Sequence, residues 1–355
     1  MKMMFRIKSL VLLLSLFSFV RVLIYMINNS ESYVLTSKPI SITTSIDIYK
    51  TKFLYINDSV MYSNKRCFHL KWKYTSNRWP LSDLRTSRCQ RFITIAKSEG
   101  RTGNDLFQIA TILGLAYRHD LIPVIPSSYH VNTYFDLPNI VDFNKRNLSN
   151  NVILLGKKVA IYKDLSKGLK SESYNFTIAG CFQSWRYFDT ERDIVKNALR
   201  LKYVHFNRAK QYMNLVNPKG FKQATIHIRR GDFSTPGNLK KGFAVVDATF
   251  VEKAKHILQQ NTSDIKFFVV TNDKKWCEEN LNNVHISPFD NPGDDLAIMA
   301  LSDHVIVSAG TFGWWGAWLA GGKAVYYKEF PRSKSNLAKL FNIYDYYLPD
   351  WIGIT

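Results

Sequence analysis

Ala224–Phe233 read ATIHIRRGDF, a short β-branched apolar run that breaks into two arginines, a glycine and an aspartate. The run predicts a buried strand over Ala224–Ile228, because β-branched residues suit a pleated, packed surface. Two adjacent cations at the mouth of such a strand have two explanations. The strand ends in a solvated turn, with one arginine paired to Asp232, or the pair faces an anion, whose geometry a guanidinium fork matches at two points. Side chains alternate along a strand, so only one of Arg229 and Arg230 reaches a ligand directly, and His227 shares the face of Arg229. Arg230-Gly231-Asp232 also spells an adhesion tripeptide, which calls for an exposed flexible loop rather than a half-buried strand end.

Working outward, the same strand, turn and helix order recurs on both sides. Phe92–Ala96 predicts a strand, Gly100-Arg-Thr-Gly-Asn104 a glycine turn, Leu106–Tyr117 a helix and Pro123–Pro126 a second strand. Downstream, strands are predicted at Lys266–Thr271, His304–Ser308 and Ala324–Tyr327. Helices are predicted at Asp247–Gln259, Trp276–Leu281, Asp294–Leu301 and Trp314–Ala320. The alternation predicts an α/β fold with two Rossmann-type units facing a cleft, over 89–215 and 216–355. Ligand would bind at the carboxyl ends of the strands.

Two further strand ends bear on chemistry. Gly100 and Gly103 allow close backbone approach at a helix start, although a tight turn asks for the same residues. At Ser308-Ala-Gly-Thr311 a strand runs into a helix, whose first N–H groups and dipole, with the Ser308 and Thr311 hydroxyls, form an anion cradle. Trp314 and Trp315 read as core or as sugar-stacking walls. No Asp-x-Asp occurs in the chain. A diphosphate would then be neutralised by arginine and a helix start rather than by a carboxylate-held metal.

The chain of 355 residues is 46% hydrophobic and carries a formal charge of +20, which favours nucleic acid, phospholipid head groups or phosphorylated small molecules as partners. The N-terminus selects among them. Lys2, Arg6 and Lys8 precede the apolar run Leu10–Val20, apolar character resumes after Arg21 through Ile27, and no acidic residue precedes Glu31. This predicts a cytosolic tail over 1–8, a signal-anchor over 9–27 and a lumenal remainder. A cleaved signal peptide is the competing reading. Residues 28–88 are predicted as a loosely structured stem. Sequons at Asn28, Asn57, Asn147, Asn175 and Asn261 suit lumenal exposure, Asn28 being too close to the membrane to serve. Cys67, Cys89, Cys181 and Cys277 suit an oxidising compartment and allow three pairings. A lumenal protein meets no nucleic acid.

Four ordered blocks then carry a resemblance. His227-Ile-Arg-Arg-Gly-Asp232 is similar to the H-x-R-R-x-D motif of the galactoside α1,2-fucosyltransferases. Gly100-Arg-Thr-Gly-Asn-Asp-Leu-Phe-Gln-Ile-Ala110 resembles that family's opening segment, and Phe268–Cys277 and Gly310–Leu319 resemble its two later blocks. The likeness implies a GT-B-like fold in a single-pass type II Golgi membrane protein. It implies GDP-L-fucose as donor, a galactose-terminated glycan attacked through O2, inversion, and neither metal nor other cofactor. By the same likeness Arg229, beside Arg230, clamps the β-phosphate. His227 and Asp295 face the guanosine, Asp295 accepting from guanine N1–H and N2–H. Ser308 and Thr311 hold the diphosphate, with Gly100, Gly103 and Asn104 completing the donor site. Asp232 is the candidate base, with a structural pairing to Arg230 as its competing role, and Asp247 is the runner-up. Asp105 and Glu99-Gly100 depart from the family pattern, which bears on acceptor contacts. The alternative is an inactive lumenal protein that binds glycan or nucleotide sugar, against which the intact Arg229 and Arg230 argue.

Overall fold

In the computed structural model, the stretch around Ala224 is an inner strand of a six-stranded sheet. Described are residues 60–62, 65–72, 80–86, 88–96, 100–142, 151–156, 158–170, 175–260 and 264–355. The predicted tail and anchor, most of the predicted stem, Glu99, and the sequons at Asn28, Asn57, Asn147 and Asn261 lie outside them.

The first part of the chain contributes β1 (Val60–Tyr62), β2 (His69–Lys71), β3 (Phe92–Ile95), β4 (Ile122–Pro123), β5 (Asn151–Leu155) and β6 (Asn175–Ala179). The order β4-β3-β6-β5 forms a parallel sheet, with helix α1 (Thr102–Arg118) crossing from β3 to β4. The second part contributes β7 (Lys222–Ile228), β8 (Ile265–Thr271), β9 (His285–Ile286), β10 (His304–Val307), β11 (Ala324–Tyr327) and β12 (Ile352–Ile354). Its order is β9-β8-β7-β10-β11-β12, every pair parallel. The chain builds outward from β7 to β9, then returns to the other side of β7 and builds outward again. That reversal opens a crevice at the carboxyl ends of β7 and β10.

Between these strands lie α2 (Tyr203–Val216), α3 (Ala248–Gln259), α4 (Lys274–Asn280), α5 (Pro292–Leu301) and α6 (Gly310–Ala320). Ile226 and Ile228 of β7 pack with Phe250, Val251 and Ala254 of α3 and Val269 of β8 in one buried cluster. Both sheets belong to one compact unit, Thr51–Thr355.

Ahead of the predicted division near 215, α2 already packs on α5. His205 Nδ1 lies 2.7 Å from Asp294 Oδ1, and the Tyr212 hydroxyl donates to the Ile286 carbonyl at 3.0 Å. The end of the predicted stem is folded. Phe68, Leu70, Trp72 and Leu84 are buried, the Cys67 and Phe68 N–H groups donate to Asp120 Oδ1, and Cys67 and Cys89 form a disulfide. Cys181 and Cys277 are free thiols, a pairing that spacing alone left open. Asn175, expected to carry a glycan, opens β6 and accepts from the Phe92 N–H at 3.1 Å, while Thr177 of its sequon is buried against Asn151. That sequon belongs to the sheet. No helix among the described residues is long and apolar enough to cross a membrane.

Asp294 is buried and held by His205 at 2.7 Å and by the half-exposed Arg208 at 3.5 Å, so removing the imidazole takes away its closer, buried partner and leaves only the longer contact. His205→Ala should lower stability by about 3 kcal/mol in urea unfolding. A loss below about 1 kcal/mol would remove this contact from the links that tie α2 to the second sheet.

Candidate active site

A cavity of about 620 Å³ opens where the strand order reverses. Its floor is the end of β7. The Arg229 N–H donates to Ser308 Oγ at 2.8 Å, and the Ser308 N–H donates back to the His227 carbonyl at 3.1 Å. This reciprocal tie holds Arg229 at the strand end with its side chain in the cavity. Its guanidinium lies 2.7 Å from Asp232 and over the Phe233 ring at 5.3 Å.

Arg230 turns the other way, as alternation requires. It donates to the Val246 carbonyl at 2.6 Å, sits 4.1 Å over the Trp276 ring, and lies outside the cavity lining. The expectation that Arg230 contacts the donor is therefore replaced by a scaffold role. The solvated-turn explanation is half right, since Asp232 does pair with an arginine, but with Arg229. Arg230, Gly231 and Asp232 sit half-buried at the strand end and in a short 3-10 turn, not in the exposed loop that an adhesion signal needs.

The opposite wall is made by two helix starts that meet. A Cβ on Gly103 would lie 2.6 Å from Thr311 Oγ1 and 2.8 Å from the Phe312 nitrogen, so only glycine permits this approach. Asn104 Oδ1 accepts from Thr311 Oγ1 at 2.9 Å and from Gln183 Nε2 at 3.2 Å. Gly310, at φ +83°, takes a left-handed conformation that turns the chain into α6. Neither α1 nor α6 has a side-chain cap, whereas α3, α4 and α5 are capped by Asp247, Asp273 and Asn291. Two uncapped helix starts beside one cavity concentrate N–H groups and dipole charge that suit an anion.

Of the other expected residues, Gly100, Gly103, Asn104, His227, Asp232, Asp295 and Thr311 line the cavity. Ser308 does not: it is fully buried and holds Arg229 instead. Asp247 is no candidate base, because it caps α3 by accepting from the Phe250 N–H at 2.9 Å and stands outside the cavity. Asp105 is buried and likewise off the lining. Trp314 and Trp315 resolve to core, both fully buried against Phe107.

Burial, with Arg229 adding to it, pushes the His227 imidazole down to about 3, so the ring is neutral. Burial pushes the Asp295 carboxyl up to about 7, partly offset by the Ser287 hydroxyl, which donates to it at 2.7 Å, and by Lys274. Sequence reasoning missed Arg101, whose side chain crosses to Asp232, and an aromatic wall of Phe233, Phe243, Phe330, Phe341 and Tyr346. Arg101 was visible inside the glycine turn, but its direction was not. The last three aromatics arrive on the chain's return past β11 and carried no periodic signal. No group of three or more His, Cys, Asp or Glu among the described residues is placed to hold a metal ion.

A parallel sheet with a strand-order reversal, an arginine at the turning point and two helix starts around it define an α/β protein with a cationic cavity at its switch point. The chain belongs to glycosyl transferase family 11, whose profile matches residues 60–355. The match begins at the β1–β2 hairpin, ahead of the expected start at 89. The chain is similar to galactoside alpha-(1,2)-fucosyltransferase 1 of Mus musculus, 29% identical over 300 residues, covering 79% of this chain and 77% of that protein. It is 26% identical over 284 residues to galactoside alpha-(1,2)-fucosyltransferase 2 of Rattus norvegicus, covering 72% and 75%. Among solved structures it is similar to a variant of Arabidopsis thaliana FUT1 in complex with GDP, with TM-score 0.47, 11% identity and coverage of 71% and 73%.

Gly103→Ala should force the helix starts apart and weaken nucleoside diphosphate binding about tenfold or more in calorimetric titration. Gly237→Ala, with nothing within 4 Å of the added carbon, is the control. Equal affinities in the two variants would show that the close approach does not shape the site.

Proposed function

We propose that this protein transfers L-fucose from GDP-fucose to the 2-hydroxyl of a terminal galactose, with inversion and without a metal, on a GT-B-like fold. One observation carries it: Arg229, pinned at the switch point by Ser308, shares its cavity with two uncapped helix starts. Family membership and relatives named as galactoside α1,2-fucosyltransferases supply the sugar and the acceptor.

The chemistry follows from charge. As the bond from the fucosyl anomeric carbon to the β-phosphate oxygen breaks, its electron pair goes to that oxygen and the sugar gains oxocarbenium character. Arg229 and the helix starts stabilise the charge where it grows, each well-placed donor contributing about 3–4 kcal/mol. Galactose O2 attacks from the opposite face and gives up its proton. The carboxylates lining the cavity are Asp232, Asp290 and Asp295. Of these Asp232 stands beside Arg229, the residue assigned to the leaving phosphate, and it is the proton acceptor once phosphate takes over that guanidinium. Asp295 accepts from guanine, and neutral His227 fills the floor without opposing the arginine. The basic-then-apolar N-terminus and the Cys67–Cys89 disulfide support a type II protein of the Golgi membrane with its catalytic part in the lumen.

Arg229→Ala should lower turnover about a hundred- to a thousand-fold with the fold kept. Unchanged turnover in a labelled-donor assay would end the clamp idea. Activity should survive excess EDTA, and abolition by chelator would overturn the metal-free scheme. Guanine needs the ionised Asp295, so GDP affinity should rise about tenfold per pH unit up to about 7 and then level off. Asp295→Asn should flatten that profile, and a profile equally steep in the variant would reassign the guanine contact.

A further inference from the structure

Asp232 stands between two guanidinium groups that approach from different walls of the cavity. Arg229, on the β7 side, places Nη2 2.7 Å from Oδ1. Arg101, at the start of α1, places Nη2 3.9 Å from Oδ2. The two cations differ in how they are held. Arg229 is only 20% exposed, tied through its backbone to Ser308 and laid over Phe233. The Arg101 side chain is 78% exposed, and among the described residues its one ion pair is with Asp232. The Arg101 backbone is nevertheless fixed, because its carbonyl accepts from the Asn104 N–H at 2.8 Å and the Asp105 N–H at 3.2 Å. A long side chain thus hangs from a rigid hinge at the mouth of the anion site.

The two guanidinium groups outnumber the one carboxylate they share, and the α1 and α6 starts add further positive character. A carboxylate in that position competes with any phosphate for the same donors, since both accept the guanidinium fork. We propose that Arg101 is a second phosphate-binding cation delivered from the α1 wall. Asp232 is the placeholder that holds both arginines until the donor's diphosphate displaces it. Displacement moves both guanidinium groups from carboxylate to phosphate and frees Asp232 to take the acceptor's O2 proton. This rests on the reading of the cavity as a GDP-fucose site. It also sets Asp232 apart from a merely structural partner. A structural partner orders Arg229, so its removal weakens phosphate binding, whereas a placeholder competes, so its removal strengthens it.

The test is calorimetric titration of GDP and of guanosine into the wild type, Arg101→Ala, Arg101→Lys, Asp232→Asn and Arg229→Ala, with thermal unfolding as the folding check. Arg101→Ala should weaken GDP about tenfold and leave guanosine unchanged, as expected for loss of a charge-assisted contact to phosphate. Arg101→Lys should restore part of that loss. Asp232→Asn should bind GDP at least about threefold more tightly while turning over more slowly, the gain expected on removing an internal competitor. An unchanged ratio of GDP to guanosine affinity in Arg101→Ala, or weaker GDP binding in Asp232→Asn, overturns the proposal. Arg229→Ala separates the two levels of failure. If it collapses the ratio while Arg101→Ala does not, only the second cation falls. If it too leaves the ratio unchanged, the diphosphate reading falls with it.

Discussion

Gly103 lies against the backbone of Thr311 and Phe312 at a separation that no side chain could occupy. This contact brings two helix starts to one wall of the cavity, and it fixes where their N–H groups and dipoles act. Beneath it the same seam turns apolar: Phe107 packs against Trp314 and Trp315 at ring distances of 4.4 and 5.1 Å, and the Trp314 indole donates to the Tyr346 carbonyl. A dry aromatic seam below and a hydrogen-bonded polar rim above hold two sheets in one register. The electrostatics of the cleft depend on that register, because dipole charge fades within the first turn of a helix.

The other wall depends on strand order. Ser308 reaches Arg229 only because β10 lies beside β7, although 79 residues separate them. Crossing back over β7 makes the two strand ends diverge and leaves a crevice instead of a covered edge. Burial then sorts the titratable groups. His227, under Arg229, loses its proton, while Asp295, in the less exposed part of the lining, holds its proton more tightly than an exposed carboxyl does. Two guanidinium groups, a buried neutral ring and one carboxyl with a raised pKa thus line a single cavity.

Much of this was legible in the amino-acid order. The strand over 224–228 and the helices over 247–259 and 294–301 follow from β-branching and apolar period, which are local properties, whereas the stretch read as a glycine turn at 100–104 already enters α1 at Thr102. The opposite facing of Arg229 and Arg230 followed from the two-residue repeat of a strand, and it held for the two residues past the last strand residue. Less legible was the role of hydroxyls and carboxylates near the site. Ser308, Asp247 and Arg230 stand beside chemistry-bearing stretches, yet each is engaged in holding the scaffold. Nothing in a linear pattern separates a residue that touches a ligand from one that positions its neighbour.

Sequence alone determined the element types, the alternation that yields parallel sheets and the cationic strand end, because each arises from interactions among residues close along the chain. Tertiary structure decided the rest. It packed α2 on α5, folded the segment around Cys67 and Cys89 onto the first sheet and returned Phe341 and Tyr346 to the cavity. It also aimed Arg101 across the cleft at Asp232. These arrangements depend on contacts between residues tens to hundreds of positions apart, whose pairing is set by packing of the whole rather than by any local preference.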